Sequence, residues 1–99
     1  MKGIVWGADR ETCGGKLKQL IEDYALYWNV NPIKTIMTQN TYRVEFENGD
    51  KWQAIVARES ARGHRCNISL VDRNIDYDFT SNIIEHCTTA GPFNAIRYY

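Results

Sequence analysis

The chain has 99 residues, 43% of them hydrophobic and 24% charged, which predicts a single folded domain over residues 1–99 with one hydrophobic core. Twelve basic and twelve acidic side chains give a formal net charge of zero. This balance argues against a protein that coats DNA and equally against an acidic mimic of DNA. No apolar stretch approaches the ~18 residues of a membrane span, so we expect no membrane role.

The cysteines predict a reducing compartment. Cys13, Cys66 and Cys87 are an odd number without regular spacing, which is not the pattern of a disulfide framework. The N-terminus has no charged segment followed by a long apolar run and a cleavage site. We therefore expect the protein in the cytoplasm, with Cys66 and Cys87 as small buried side chains.

The first two predicted elements are a strand and a helix. A short β-branched and aromatic run bounded by glycines predicts a buried strand over residues 2–8. Helical spacing of apolar residues then predicts a helix from Arg10 to about Trp28, with Asp9 or Thr12 as N-cap. Gly14 and Gly15 lower the helix propensity of its first turns, so either those turns are irregular or another backbone comes close.

A β-hairpin is the strongest local prediction. Residues 29–40 are mostly polar and contain Asn-Pro, which predicts a connection with a short strand at 33–37. Apolar residues then alternate with polar ones on both sides of Asn48-Gly49, a pair that favours a type I′ turn. The inward-facing residues of the two strands are Tyr42, Val44, Phe46, Trp52, Ala54 and Val56.

The rest of the chain predicts a loop, a strand and a helix. Residues 61–65 form a charged loop, and residues 68–71 form a strand that ends at Asp72. A helix follows from Phe79 to about Thr89, capped near Thr80 or Ser81 and ended by Gly91-Pro92. The order is β-α-β-β-β-α, which predicts an α+β or small α/β fold with helices packed on one or both faces of a small sheet.

Gly14-Gly15-Lys16 lies where a phosphate-binding loop would be expected, between a strand and a helix. The pattern Gly-x-x-x-x-Gly-Lys-Ser/Thr needs a first glycine and a final hydroxyl, since the backbone wraps the phosphates and the hydroxyl holds magnesium. Arg10 and Leu17 occupy those two positions. The sequence therefore does not predict ATP hydrolysis here.

Three segments together resemble part of a known family. They are residues 44–52 with the Asn-Gly turn, the Ala61-Arg62-Gly63 loop and the strand at 68–72. This region, about 30 of the 99 residues, is similar to the Walker B region of phage large terminases and related helicase-like ATPases. That family has Asp-Glu where this chain has Asp72-Arg73, so the base that activates water is missing. The resemblance implies a small phage-encoded accessory protein that keeps a piece of the architecture without the activity.

Neither a metal site nor a catalytic set is predicted. The spacing of His64, Cys66, His86 and Cys87 does not match the paired ligands of zinc motifs. No residue that would orient a Cys–His pair can be identified. Three aspartates follow the strand at 68–71, and turn and helix-cap chemistry explains them without a cation: Asp72, Asp76 and Asp78. We expect no cofactor and no enzymatic activity.

The remaining signal is a local excess of arginine with aromatic residues. Residues 58–65 contain three arginines and one acidic residue, Glu59, while His64 adds charge when protonated. Guanidinium and aromatic planes are common at protein interfaces and stack on bases. Trp6, Phe46 and Trp52 are expected in the core. The predicted binding residues are Arg58, Arg62, His64, Arg65, Arg73, Tyr98 and Tyr99.

Two functions fit this set. The first is a non-catalytic protein that binds a host protein stoichiometrically. The family resemblance implies that such a protein inhibits a host machine, including a bacterial defence system such as a CRISPR nuclease. The alternative is a nucleic-acid or nucleotide-binding protein that uses the Arg58–Arg65 loop.

Overall fold

The computed structural model describes residues 1–39, 41–58, 61, 63–89 and 95–99. Within these residues the fold is α+β, as predicted, with one mixed sheet in the order β2-β3-β4-β1-β5-β6. The strands are β1 (Lys2–Gly7), β2 (Pro32–Met37), β3 (Tyr42–Phe46), β4 (Lys51–Val56), β5 (Ile68–Val71) and β6 (Ile96–Tyr98). The strands β4, β1, β5 and β6 are parallel, and β2-β3-β4 is an antiparallel meander. The order predicted from sequence lacked β6 and counted β2 only as a short strand in a connection.

The central strand β1 is covered on both faces. Helix α1 (Arg10–Trp28) packs on the face that includes Val5, while the helix after β5 packs on the face that includes Ile4 and Trp6. These three side chains have no solvent exposure. The continuous apolar run of β1 is explained by this position, because a strand with helices on both sides has no polar face.

Helix α1 begins at a capped N-terminus and ends in a left-handed turn. The Asp9 carboxylate accepts a hydrogen bond of 2.8 Å from the Thr12 backbone N–H, and this bond lowers the pKa of Asp9. Asn29 takes a φ of 53° at the other end, and the Val30 N–H reaches the Tyr24 carbonyl at 3.1 Å. Asp9 rather than Thr12 is therefore the N-cap.

Gly14 and Gly15 have different surroundings within α1. A Cβ placed on Gly14 would lie 2.2 Å from Cε2 of Tyr42, whereas one placed on Gly15 would meet nothing within 4 Å. The helix is regular through both residues. Close approach therefore applies at Gly14, but the approaching group is an aromatic ring and not the backbone that the glycine pair predicted.

The hairpin and the inward phase of its two strands are confirmed, but its turn type was predicted wrongly. Only Gly49 takes a positive φ, of 94°, whereas a type I′ turn needs one at Asn48 as well. The Gly49 N–H bonds to the Phe46 carbonyl at 3.0 Å, and the Phe46 N–H bonds to the Asp50 carbonyl at 2.8 Å. The Asn48 side chain accepts from the Asp50 N–H at 3.0 Å, which accounts for the longer loop.

The second helix, α2, begins earlier than predicted. It is α-helical at Tyr77–Phe79, π-helical at Thr80–Ile84 and α-helical at Glu85–Cys87. Its N-cap is Asp76, whose carboxylate accepts from the Asp78 N–H at 3.3 Å, and not Thr80 or Ser81. The helix starts there because this carboxylate satisfies a free N–H of the first turn. The predicted terminator, Gly91-Pro92, lies outside the described residues.

A buried polar network joins the sheet to α2. The Trp6 indole N–H donates to the Ser69 hydroxyl at 3.0 Å. The Ser69 hydroxyl in turn lies 2.8 Å from the Thr88 hydroxyl. Thr88 donates to the Ile84 carbonyl at 2.7 Å, and the Cys66 sulfur lies 3.2 Å from the Ser69 hydroxyl. The predicted burial of Cys66 and Cys87 is confirmed, and Cys13 is buried as well. The core positions predicted for Trp6, Phe46 and Trp52 are confirmed as well.

Candidate functional site

A cavity lies at one edge of the sheet. Because β1 and β4 are parallel and β3 is antiparallel to β4, the ends of β1 and β4 meet the start of β3 there. Helix α1 also begins at this edge. The cavity has a volume of about 400 Å³ and is bounded by residues of α1, β3, β4 and the adjoining loops: Arg10, Cys13, Thr41, Tyr42, Arg43, Gln53, Ala54, Ile55, Val56, Arg58, Ala61 and His64. We call it the basic cleft.

The charged side chains of the basic cleft all carry the same sign. Arg10, Arg43 and Arg58 line it together with His64, and no carboxylate is among its described lining residues. Arg43 and Arg58 are exposed, while Arg10 and His64 are half-buried. The ion pairs of the described residues, Lys51 with Glu45 and the N-terminal amine with Asp50, involve none of them. The cleft is thus a local positive region on a protein without net charge.

Two contacts order the polar wall of the cleft. The Arg10 guanidinium carbon lies 5.7 Å from the centroid of the Tyr42 ring, in cation–π contact. Gln53 Nε2 lies 3.3 Å from His64 Nδ1, within hydrogen-bonding distance. The Arg10 guanidinium and the His64 imidazole are therefore positioned by uncharged neighbours, the Tyr42 ring and the Gln53 amide.

The structure places two of the predicted binding residues, Arg58 and His64, in the cleft. Arg65 turns away and donates to the His64 carbonyl at 3.0 Å, beside a small cavity that Asn82 and His86 also line. Arg62 lies outside the described residues.

Arg73, Tyr98 and Tyr99 lie around β6, on the opposite side of β1. Tyr98 is 53% exposed. Tyr99 is half-buried, and its hydroxyl donates to the Trp6 carbonyl at 2.8 Å. Burial raises the pKa of Tyr99. This hydrogen bond connects the residue after β6 to β1. The predicted binding residues therefore do not form one surface.

Three residues of the cleft were missed at the sequence level: Arg10, Tyr42 and Arg43. Arg10 is separated by more than 30 residues from the other two, and the sheet and α1 bring them together. The outward phase of Arg43 on the hairpin was visible in the sequence, but a solvent-facing arginine on a strand is common. No local pattern linked it to Arg10.

In the region that resembles a Walker B strand, the Asp72 side chain makes hydrogen bonds to neighbouring loops. Asp72 is buried at the end of β5, and its two carboxylate oxygens accept from the Ala8 and Asn74 N–H groups at 2.9 and 3.0 Å. Asp72 thereby holds the loops that follow β1 and β5. Gly14, Gly15 and Lys16 lie within α1 rather than in a loop. Across the described parts of the chain, no three His, Cys, Asp or Glu side chains gather as metal ligands would.

Compared with protein-family models, with curated proteins and with solved structures, the chain shows no match. Among the described residues, no helix is both long and apolar enough to cross a membrane. The function is therefore argued from the basic cleft itself.

Proposed function

We propose that the protein is a non-catalytic binding protein that acts stoichiometrically and holds acidic side chains of a partner protein in the basic cleft. The observation that carries the proposal is the lining of the cleft, in which three arginines and a histidine converge without a described carboxylate. Guanidinium groups match carboxylates in two-pronged hydrogen bonds, and arginine is frequent among the residues that dominate interface energy.

The positions of the arginines on the backbone support this function. Arg10 is in the first turn of α1, Arg43 is within β3, and Arg58 follows β4 by two residues. Side chains that project from hydrogen-bonded elements lose less conformational freedom on binding than side chains on a long free loop. The cleft is thus suited to hold a partner rather than to transform one.

The partner that we propose first is a protein of a bacterial host cell. The resemblance of residues 44–72 to a region of phage ATPases favours a phage-encoded accessory protein that acts in the host cytoplasm. An inhibitor of a defence nuclease, including a CRISPR nuclease, is one form of that function, and it requires no catalysis by this chain.

Binding of a fluorescent Asp/Glu-rich peptide, measured by anisotropy at several salt concentrations, tests the proposal. We expect R43A/R58A to weaken binding at least about tenfold, since each truncated interface arginine commonly costs ~1–2 kcal/mol. R65A/R73A removes the same charge outside the cleft and is the matched control. Equal losses in both double variants would show a general charge effect and would contradict a site in the cleft.

A nucleotide or single-stranded nucleic acid is the second candidate ligand. The observation that favours it is the half-buried Tyr42 ring beside Arg10, in a cavity whose volume is in the range of small-molecule sites. AMP and an oligo-dT strand serve as probes in the same assay. For the strand, each lost phosphate contact lowers the slope of log K against log salt by about 0.7. Tighter binding of these probes than of the acidic peptide would replace the first candidate with the second.

A further inference from the structure

A second surface lies at the opposite end of α1 from the basic cleft. The last three residues of this helix expose large apolar side chains, with 74% of Leu26, 70% of Tyr27 and 62% of Trp28 accessible. We call these three residues the aromatic patch. Ile33, on the edge strand β2 that follows, is 68% exposed. Exposed apolar residues that cluster in this way mark sites of protein association more often than isolated ones do.

The rings of the aromatic patch are anchored to the core. Phe46 stacks on Tyr24 with a centroid distance of 3.9 Å, and the Trp28 ring meets Tyr24 edge to face at 5.1 Å. Tyr27 in turn meets Trp28 at 6.3 Å. The Tyr24 hydroxyl is fixed because it donates to Asp50 at 2.8 Å and accepts from the Trp52 indole at 3.0 Å. Anchored aromatic rings present contact area at a low entropic cost.

Negative charge surrounds the aromatic patch. Glu22 and Asp23 lie one helical turn before Leu26 and Tyr27, on the same outward side of α1. A Glu47 carboxylate oxygen accepts the Asn31 N–H at 3.1 Å, just beyond the helix end. No described basic side chain pairs with these three carboxylates. The last turn of α1 also contains no basic residue, so the partial negative charge of its free carbonyls is not offset.

The same features disfavour a second copy of the chain as the occupant. Two aromatic patches in contact would bring their acidic residues together. The adjacent edge strand β2 carries Pro32, Lys34 and a register shift between them, which are features that protect an edge from pairing with another strand. Negative charge also disfavours nucleic acid and anionic lipid. The complementary occupant combines apolar side chains with positive charge.

We propose that the aromatic patch, with Glu22, Asp23 and Glu47 around it, is a second docking surface that binds a cationic amphipathic segment of a partner protein. Apolar residues of the segment cover Leu26, Tyr27 and Trp28, while its lysines or arginines face the carboxylates. The inference does not depend on the basic cleft, which lies one helix length away, about 27 Å for the span from Arg10 to Trp28. The protein would then carry two binding surfaces of opposite charge, the basic cleft and the aromatic patch with its carboxylates.

Two helical peptides of identical apolar pattern test the proposal, one built from lysine and leucine and the other from glutamate and leucine. Trp28 is the exposed tryptophan while Trp6 and Trp52 are buried, so binding is followed as a blue shift of tryptophan emission. We expect the lysine peptide to bind at least about tenfold more tightly than the glutamate peptide. The variant L26A/Y27A should weaken it by a similar factor, and E22Q/D23N should weaken it and reduce its salt dependence.

Two controls separate this surface from others. Y77A removes a side chain of similar exposure, 72%, at the start of α2, and R43A/R58A disables the basic cleft; neither should change binding of the lysine peptide. Circular dichroism and thermal melts establish that each variant is folded. The proposal is wrong if the two peptides bind equally, if the lysine peptide does not bind, if folded L26A/Y27A keeps full affinity, or if sedimentation shows that the patch dimerises the protein.

Discussion

Replacing Gly14 with alanine tests the packing of α1 against the hairpin, and Gly15 next to it provides the comparison. In an open helical position the change from glycine to alanine stabilises by about 1 kcal/mol. Gly15 is such a position. At Gly14 the new methyl group would lie 2.2 Å from Cε2 of Tyr42 and 2.7 Å from its Cδ2, so the ring has to retreat by about 1 Å to reach ordinary contact. Overpacking of this kind costs about 1–3 kcal/mol, which equals or exceeds the helical gain.

Urea unfolding of G14A, G15A and the parent protein measures the two effects. We expect G15A to raise the free energy of unfolding by about 1 kcal/mol, or roughly 4–8 °C in Tm for a domain of this size, and G14A to leave it unchanged or lower it by up to about 2 kcal/mol. In a Y42A background, G14A should stabilise like G15A, because the clashing ring is gone. Equal stabilisation by both single substitutions would refute the reasoning.

Two further predictions concern the hairpin turn and alkaline pH. Gly49→Val should lower the free energy of unfolding by at least about 1 kcal/mol in urea titrations, because Gly49 has a φ of 94° that a β-branched residue does not tolerate; an unchanged unfolding midpoint would contradict this. Burial raises the pKa of Tyr24 to about 12, with a smaller raising contribution from Asp50. Since the pKa is higher in the folded state, this stabilisation is complete below pH ~10 and is lost as the pH rises through about 12. Thermal melts between pH 8 and 12 should show this loss of stability. Tyr99 contributes to the loss with the same sign. A smaller loss in Y24F would assign part of the effect to Tyr24.

Local periodicity was sufficient to predict most of the elements. Strict alternation from Tyr42 to Val56 determines the phase of both hairpin strands, and helical spacing predicts the extent of α1. The strand β6 was not predicted as a separate element, because it has three residues and forms through pairing with β5. The turn type depended on the Asn48 side chain bonding to Asp50, a competition that the Asn-Gly pair alone does not indicate.

The candidate site was less predictable than the fold for a physical reason. Arg58 and His64 belong to one charged segment, so the local excess of basic residues was enough to predict them. Arg10, Tyr42 and Arg43 join them only because β1 lies beside β4 and α1 starts where β1 ends, a relation between residues far apart in the chain. The aromatic patch was not predicted, because the exposure of Leu26, Tyr27 and Trp28 depends on the tertiary packing of α1 and not on local sequence.

The central position of β1 has a consequence for the order in which the molecule is made. Its two partners, β4 and β5, are synthesised some fifty and sixty-five residues later, whereas α1 and the β3–β4 hairpin close over short stretches of chain. A ribosome therefore releases Ile4 and Trp6 long before the strands β4 and β5 and the helix α2 that cover them exist. Until residue 71 has emerged, one side of this apolar strand lacks its neighbour, and the nascent chain offers chaperones an apolar binding segment.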